Sequence, residues 1–194
     1  MKSKILKEFK ESISVKEKFI EDHLDIIVDA AKEIARTFNE GNKLILFGNG
    51  GSATDASHIA AEFVNRFKKD RPGLPAISLN TDMAVITSIA NDYDYSEVFS
   101  RQLKSLAVEG DIIIAISTSG ISPNIHKALD TAKKKRLKTV VFTGAHGGKM
   151  AQRSDFSFMV ASENTPRIQE THITLGHVLC LMVEEILFEA PRKK

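Results

Sequence analysis

Apolar positions along the first 38 residues recur every three or four. Leu6, Phe9, Ile13, Ile20, Leu24, Ile27, Ala31, Ile34 and Phe38 form one stripe, and Lys16 alone interrupts it. Such spacing predicts an amphipathic helix, in one piece or in two around Ser12-Ile13-Ser14, ended by Gly41 and Asn42. Beyond it the pattern changes. Short apolar runs bounded by glycine or polar residues at 43–48, 76–79, 112–116, 139–142 and 156–160 read as buried strands. Helical periodicity fills about 53–67, 82–90, 95–108, 123–135, 148–152 and 167–189. Strands that alternate with helices imply right-handed crossovers. The expected architecture is α/β, a three-layer doubly wound sandwich around a five-stranded parallel sheet. Residues 1–40 form a helical arm and 41–194 the domain proper. In such sheets ligands bind at the carboxyl ends of the strands.

Composition changes this picture little but excludes several functions. The 194 residues are 42% apolar and 27% charged, an ordinary globular balance with enough chain for a full core. A net charge of +2 carries no nucleic-acid signature. Lys133-Lys134-Lys135-Arg136 falls at a predicted helix end, where cations complement the macrodipole. The single cysteine, Cys180, sits in an apolar run and reads as a buried thiol. The start, Met1-Lys2-Ser3-Lys4, leads into charged residues rather than an apolar signal core, so a reducing cytoplasm is the expectation. The longest charge-free stretch near the end, 171–183, has 13 residues. A membrane helix needs about 20, so neither a membrane nor a nucleic acid is an expected partner.

Candidate chemistry begins at the strand ends. The first strand runs into Gly48-Asn49-Gly50-Gly51-Ser52. Glycines admit close ligand approach and positive φ, and the following helix start offers N–H groups. The spacing is neither a dinucleotide fingerprint nor a P-loop. A tight turn capped by Ser52 explains it equally well. The third strand ends in Ser117-Thr118-Ser119-Gly120-Ile121-Ser122-Pro123-Asn124. Ser122 suits an N-cap and Pro123 a first helical position. The remaining hydroxyls exceed what a turn needs and suit an anion.

On the helix after the first loop, Ala56, Ala60, Phe63 and Phe67 form an apolar face, while Asp55, His58, Glu62 and Asn65 gather opposite. A solvated face is the plain reading of that stripe. Yet His58 and Glu62, four apart, can reach one point, and imidazole with carboxylate suits zinc or a similar ion. The last helix carries Gln169, His172 and His177. Gly176 leaves room beside His177 for a ligand, whereas His172 reads as a core histidine. Gln169 and His177 stand eight residues apart, about 12 Å along a straight helix. A shared metal asks that Gln169 lie in an entry loop or an uneven first turn.

Together, Gly48-Asn49-Gly50-Gly51-Ser52, the serine-rich loop 117–124 and Arg167-Ile168-Gln169-Glu170 resemble the sugar isomerase (SIS) domain family. The combination of His58, Glu62, Gln169 and His177 narrows the likeness to isomerases of a seven-carbon sugar phosphate. The resemblance implies conversion of sedoheptulose 7-phosphate to D-glycero-D-manno-heptose 7-phosphate through an enediol. It implies that Ser52, Ser117, Thr118, Ser119 and Ser122 bind the substrate, chiefly its phosphate. Asn49, Gly50, Gly51, Asn91, Asp92 and Gln169 would line the sugar site. His58, Glu62, Gln169 and His177 would hold one zinc ion, with Glu62 and His177 also the acid/base pair. Pro166 stands where some relatives have an acidic residue. A homotetramer with sites between subunits is implied as well. The alternatives are an arabinose 5-phosphate isomerase, a sugar-phosphate sensor and a non-catalytic module that binds a replication initiator. His177 argues against the last.

Overall fold

The computed structural model describes residues 1–189. Five strands, β1 (Leu44–Gly48), β2 (Ala76–Ser78), β3 (Ile112–Ser117), β4 (Lys138–Gly144) and β5 (Phe156–Val160), form one sheet in the order β2-β1-β3-β4-β5. Every neighbouring pair is parallel, with Leu44 opposite both Ala76 and Ile112 and Ile116 opposite Phe142. The order reverses between β1 and β3, and the loops leaving those two strands therefore face one crevice.

Parallel strands buried on both faces need apolar residues at consecutive positions. β1 meets that demand by alternation. Leu44 and Leu46 join one core, with Ala31, Ile34, Phe38, Ala56, Ile59, Phe63, Leu175 and Leu179. Ile45 and Phe47 join the other, with Val98, Phe99, Leu103, Ile125, Ala128 and Leu129. Helices α1 (Lys2–Asn39), α2 (Gly51–Val64) and α7 (Thr165–Phe188) cover the first face. Helices α3 (Met83–Asp92), α4 (Val98–Leu106) and α5 (Pro123–Lys134) cover the second, and the short α6 (Gly148–Ala151) closes its edge with Met150. Phe47, Phe63, Phe99, Phe142 and Phe158 are fully buried; each adds roughly 1.5–3 kcal/mol of transfer free energy.

Several boundaries differ from those expected. The arm is one unbroken helix through Ser12-Ile13-Ser14; Glu40 follows it and Gly41 takes φ +79°. Helix α2 stops at Val64, before Phe67, and a 3-10 turn at Tyr95–Glu97 precedes α4. The stripe on α1 is covered only in part. Ile27, Ala31, Ile34 and Phe38 are buried, whereas Leu6, Phe9, Ile13 and Leu24 remain 54–69% exposed. Polar ties dock the arm on α7: the Arg167 guanidinium donates to the Glu8 carbonyl, and Asn164 Nδ2 donates to Glu11 at 2.9 Å. Helix α7 is long and apolar enough to cross a membrane. Here it lies in the core, with Leu175, Leu179, Cys180 and Val183 buried. Burial pushes the Cys180 thiol well above its ordinary value, as expected of an inert cysteine. Lys133 and Lys134 lie in the last turn of α5, where the dipole favours them.

Candidate active site

The loop after β1 is a forced turn. A Cβ on Gly48 would stand 2.7 Å from Ser52 Cβ, and Asn80 brackets Gly48 by accepting from its N–H at 3.1 Å and donating to its carbonyl at 2.9 Å. Gly50, at φ +56°, is the N-cap of α2, so the expected cap by Ser52 is replaced. Ser52 lies inside the helix and is buried. Glycine tolerates the positive φ that a side chain resists, and the first N–H groups of α2 turn back to the loop: Ser52 donates to the Asn49 carbonyl and Ala53 to that of Gly50, each at 3.0 Å.

The loop after β3 organises its own hydroxyls. Ser117 Oγ accepts from the Gly120 N–H at 3.1 Å and lies 3.3 Å from Ser122 Oγ; Ser119 Oγ accepts from the Ile121 N–H at 3.4 Å. Gly120 takes φ +66°. A Cβ there would strike Gly147 and come 2.8 Å from Thr143 Oγ1. Ser122 occupies the N-cap position of α5 before Pro123, but its hydroxyl makes no capping bond and turns to Ser117 instead. Thr118 is half-buried and Ser119 is exposed.

An amide pair that the sequence offered no reason to connect, with Tyr95, which it did not single out, joins the two loops. Asn49 and Asn124 exchange a reciprocal pair of amide hydrogen bonds at 3.0 and 2.8 Å, and Tyr95 donates its hydroxyl to Asn49 at 3.1 Å. Asn80 stands directly after the β2 apolar run, so the strand-end rule could have flagged it. Asn124 lay within the serine-rich segment without a spacing signal. Asn91 and Asp92, at the end of α3, are exposed and hydrogen-bond each other at 2.9 Å.

Helices α2 and α7 bring three groups together. His58 Nε2 lies 3.1 Å from Glu62 Oε1 and 3.5 Å from His177 Nε2. One donor atom from each residue falls within 4.8 Å of the others. The polar stripe is therefore more than a wet face: His58 is exposed, but Glu62 and His177 are half-buried against each other's helices. The Phe67 ring stacks on His177 at 5.6 Å between centroids. Asp55, one turn before His58, has a buried Oδ2 without a partner. Burial raises its carboxyl above the usual value, against the pull of His58. His172 is buried with Nε2 3.2 Å from the Thr143 carbonyl, and burial lowers it to about 4, so it is the neutral core histidine expected.

Two expectations are revised on α7. Gly176 does not open a ligand space; the Ile59 side chain fills the position of its missing Cβ, so the glycine lets α2 and α7 approach closely. Gln169 lies on the continuous helix, not in an entry loop, and its amide packs against Gly51 at the mouth of the first loop.

A buried clamp holds this corner. Glu184 on α7 accepts from the backbone N–H groups of Phe67, Lys68 and Lys69 at 3.0–3.1 Å and pairs with Arg71 at 3.0 Å. Arg71 in turn donates to the carbonyls of Glu62 and Phe63 at 2.9 and 2.8 Å, which caps the end of α2. Burial opposes the Glu184 charge, but the three N–H groups and Arg71 outweigh it and hold the carboxyl below its ordinary value.

The donor chemistry of the trio fits a divalent cation. Two imidazole Nε2 atoms and a carboxylate oxygen converge, and a single proton cannot satisfy both contacts of His58 Nε2. Tetrahedral bonds of about 2.0–2.1 Å place neighbouring ligand atoms roughly 3.3–3.4 Å apart, close to the 3.1 and 3.5 Å observed.

The SIS-domain model matches residues 9–144, and the chain belongs to the SIS-domain family. Phosphoheptose isomerases are among its full-length relatives. That of Thermodesulfovibrio yellowstonii is 60% identical over 194 residues, covering all of this chain and 96% of its own. That of Aquifex aeolicus is 51% identical over 189 residues, 97% of this chain and 99% of its own. The structure of phosphoheptose isomerase from Neisseria gonorrhoeae superposes with a TM-score of 0.89 at 35% identity, over 95% of this chain and 98% of that one.

Proposed function

We propose that this chain isomerises sedoheptulose 7-phosphate to D-glycero-D-manno-heptose 7-phosphate, the first step of heptose assembly for a bacterial glycan. The observation that carries this reading is the His58–Glu62–His177 group, set beside a hydroxyl loop in a chain related end to end to phosphoheptose isomerases. The loop residues Ser117, Thr118, Ser119 and Ser122, with buried Ser52, hold the phosphate. Asn49, Gly50, Gly51, Asn91, Asp92 and Gln169 serve the sugar. Glu62 takes a proton from C1 while His177 gives one to the C2 oxygen, which forms the enediol. Glu62 then returns its proton to C2, and His177 recovers one from the C1 hydroxyl, which leaves the aldose with both groups restored. An imidazole suits that oxygen-to-oxygen transfer near neutral pH.

His58, Glu62 and His177 would hold a metal ion through one atom each, zinc being the ion this donor set suits best, which leaves the second Glu62 oxygen and His177 Nδ1 for proton transfer. The reading keeps Gln169 as a fourth ligand, supplied by the amide that stands beside Gly51 at the mouth of the first loop. When bound, such an ion polarises the substrate carbonyl and stabilises the enediolate. The reading includes a homotetramer in the cytoplasm, with 1–40 as the assembling arm. The exposed Leu6, Phe9, Ile13 and Leu24 on α1 support that arm role, and a second chain would complete a site that is open on this one.

The test is to incubate the full-length protein with sedoheptulose 7-phosphate and follow aldose formation by NMR. Glu62→Gln keeps the size but removes the base, so turnover should fall by at least ~10²-fold with folding intact. Near-normal turnover in that variant, or conversion of arabinose 5-phosphate in place of the heptulose, would sink the proposal.

A further inference from the structure

We infer that His126 is a positioning residue for the phosphate loop, held in one tautomer by Arg153 and acting through the Gly120–Ile121 peptide. The inference rests on the proposed function for its substrate, but its geometry stands apart. His126 lies in the first turn of α5, the helix that the hydroxyl loop enters. Its Nε2 is 2.9 Å from the Gly120 carbonyl oxygen, and its Nδ1 is 3.3 Å from Arg153 Nη1. A carbonyl only accepts and a guanidinium only donates. One neutral tautomer satisfies both contacts: the proton sits on Nε2 and the lone pair on Nδ1. The other tautomer and the imidazolium each break at least one contact. Arg153 is fixed in turn by an ion pair with Asp130. The relay therefore runs from Asp130 through Arg153 and His126 to the loop backbone.

The consequence follows from peptide geometry. In a trans peptide the C=O and the next N–H lie in one plane and point in opposite directions within it. Holding the Gly120 carbonyl toward His126 turns the Ile121 N–H away from α5 and toward Ser119 Oγ, which accepts it at 3.4 Å. That N–H thus fixes the position of the Ser119 hydroxyl, one of the groups proposed to meet the anion. Gly120 cannot supply this orientation alone, because glycine at φ +66° has wide freedom in ψ. Behind the loop, a hollow of about 450 Å³ lined by Ile121, His126, Lys149, Gln152 and Arg153 leaves the peptide free to turn once the histidine contact is lost.

The experiment compares full-length wild type with His126→Phe, His126→Gln and Arg153→Met. The phenylalanine keeps a ring but makes neither contact. The glutamine amide retains one donor and one acceptor. For His126→Phe, KM for sedoheptulose 7-phosphate should rise about 3- to 10-fold, the value of one hydrogen bond, with kcat within about twofold. His126→Gln should restore most of that loss, and Arg153→Met should show a smaller rise of the same kind. Binding of inorganic phosphate, titrated by the Ile121 amide shift, should weaken in the same order. Unchanged KM and phosphate affinity in His126→Phe overturns the relay and leaves the isomerase reading intact. A wild type that does not turn over the heptulose defeats that reading instead. The phosphate titration then judges the relay alone, and equal affinities of wild type and His126→Phe overturn it. If His126→Phe does not fold, Arg153→Met with unchanged phosphate affinity overturns it as well.

Discussion

The two flanks of the crevice are built by opposite means. On the α2/α7 side, charged groups are placed by side chains distant in sequence: Glu184 reaches back to Phe67, Lys68, Lys69 and Arg71, and His177 crosses to His58. On the β3–α5 side, hydroxyls are placed by their own turn, within the six residues from Ser117 to Ser122. The proton transfer proposed for the first flank would tolerate little displacement, and its groups sit on two helices locked by a buried ion pair. The phosphate binding proposed for the second flank would need several weak donors in one neighbourhood, and a local turn gathers them. Damage to the first flank should therefore spread to the fold, whereas damage to the second should stay in binding.

The sharpest break of this contrast is Glu184→Ala. It leaves Arg71 and three N–H groups without their acceptor, and loss of one partner of a buried pair costs about 3–5 kcal/mol. Melting measured with pH provides the check. Because the Glu184 carboxyl lies below its ordinary value when folded, its contribution is complete above the unfolded carboxylate pKa. It fades as pH falls through the lowered folded value. The gap between variant and wild type should therefore close in acid. A gap below about 1 kcal/mol at neutral pH would mean that the clamp does not hold this corner.

The opposite flank should respond in affinity. Replacing Ser119 and Ser122 together by Ala removes two hydrogen bonds to a charged group and should weaken sugar-phosphate binding at least ~10-fold. Melting should stay within about 0.5 kcal/mol, because Ser122 makes no capping bond to lose. A large melting loss with unchanged affinity would reverse the assignment. The smallest effect is expected at Asp55→Asn. The carboxyl is raised by burial, so its ionised form disfavours folding at neutral pH and is relieved as pH falls through the raised value. The amide should raise Tm by no more than about 3 °C, and a lowered Tm would show that the charge is useful where it stands.

Much of this was legible in one dimension. The five strands and the helices between them follow from apolar periods, and the crevice follows from where strands end. The serine-rich loop was visible because its hydroxyls exceeded the needs of a turn. Arg71 and Glu184 were not, because a buried ion pair 113 residues apart leaves no spacing signal. Gly176 was misread for a related reason. A glycine beside a functional histidine can serve a ligand or a neighbouring helix, and only the position of Ile59 separates the two. His126 lay inside a quoted motif's helix, but its partner Arg153 comes from the far side of β4.

The docking of the arm also sets an order of assembly. Helix α1 is made before every other element described here, yet Asn164, Arg167 and the apolar face of α7, on which it packs, come after all of them. Between Asn39 and Thr165 lie 125 residues, roughly 6–25 s of synthesis at ~5–20 residues per second. During that interval Phe38 can already pack on Phe63, 5.5 Å away between ring centroids, but the part of the stripe that meets α7 has no partner. Lysines and glutamates interleaved along its other faces give that waiting stripe a charged surround until α7 arrives to close the first core.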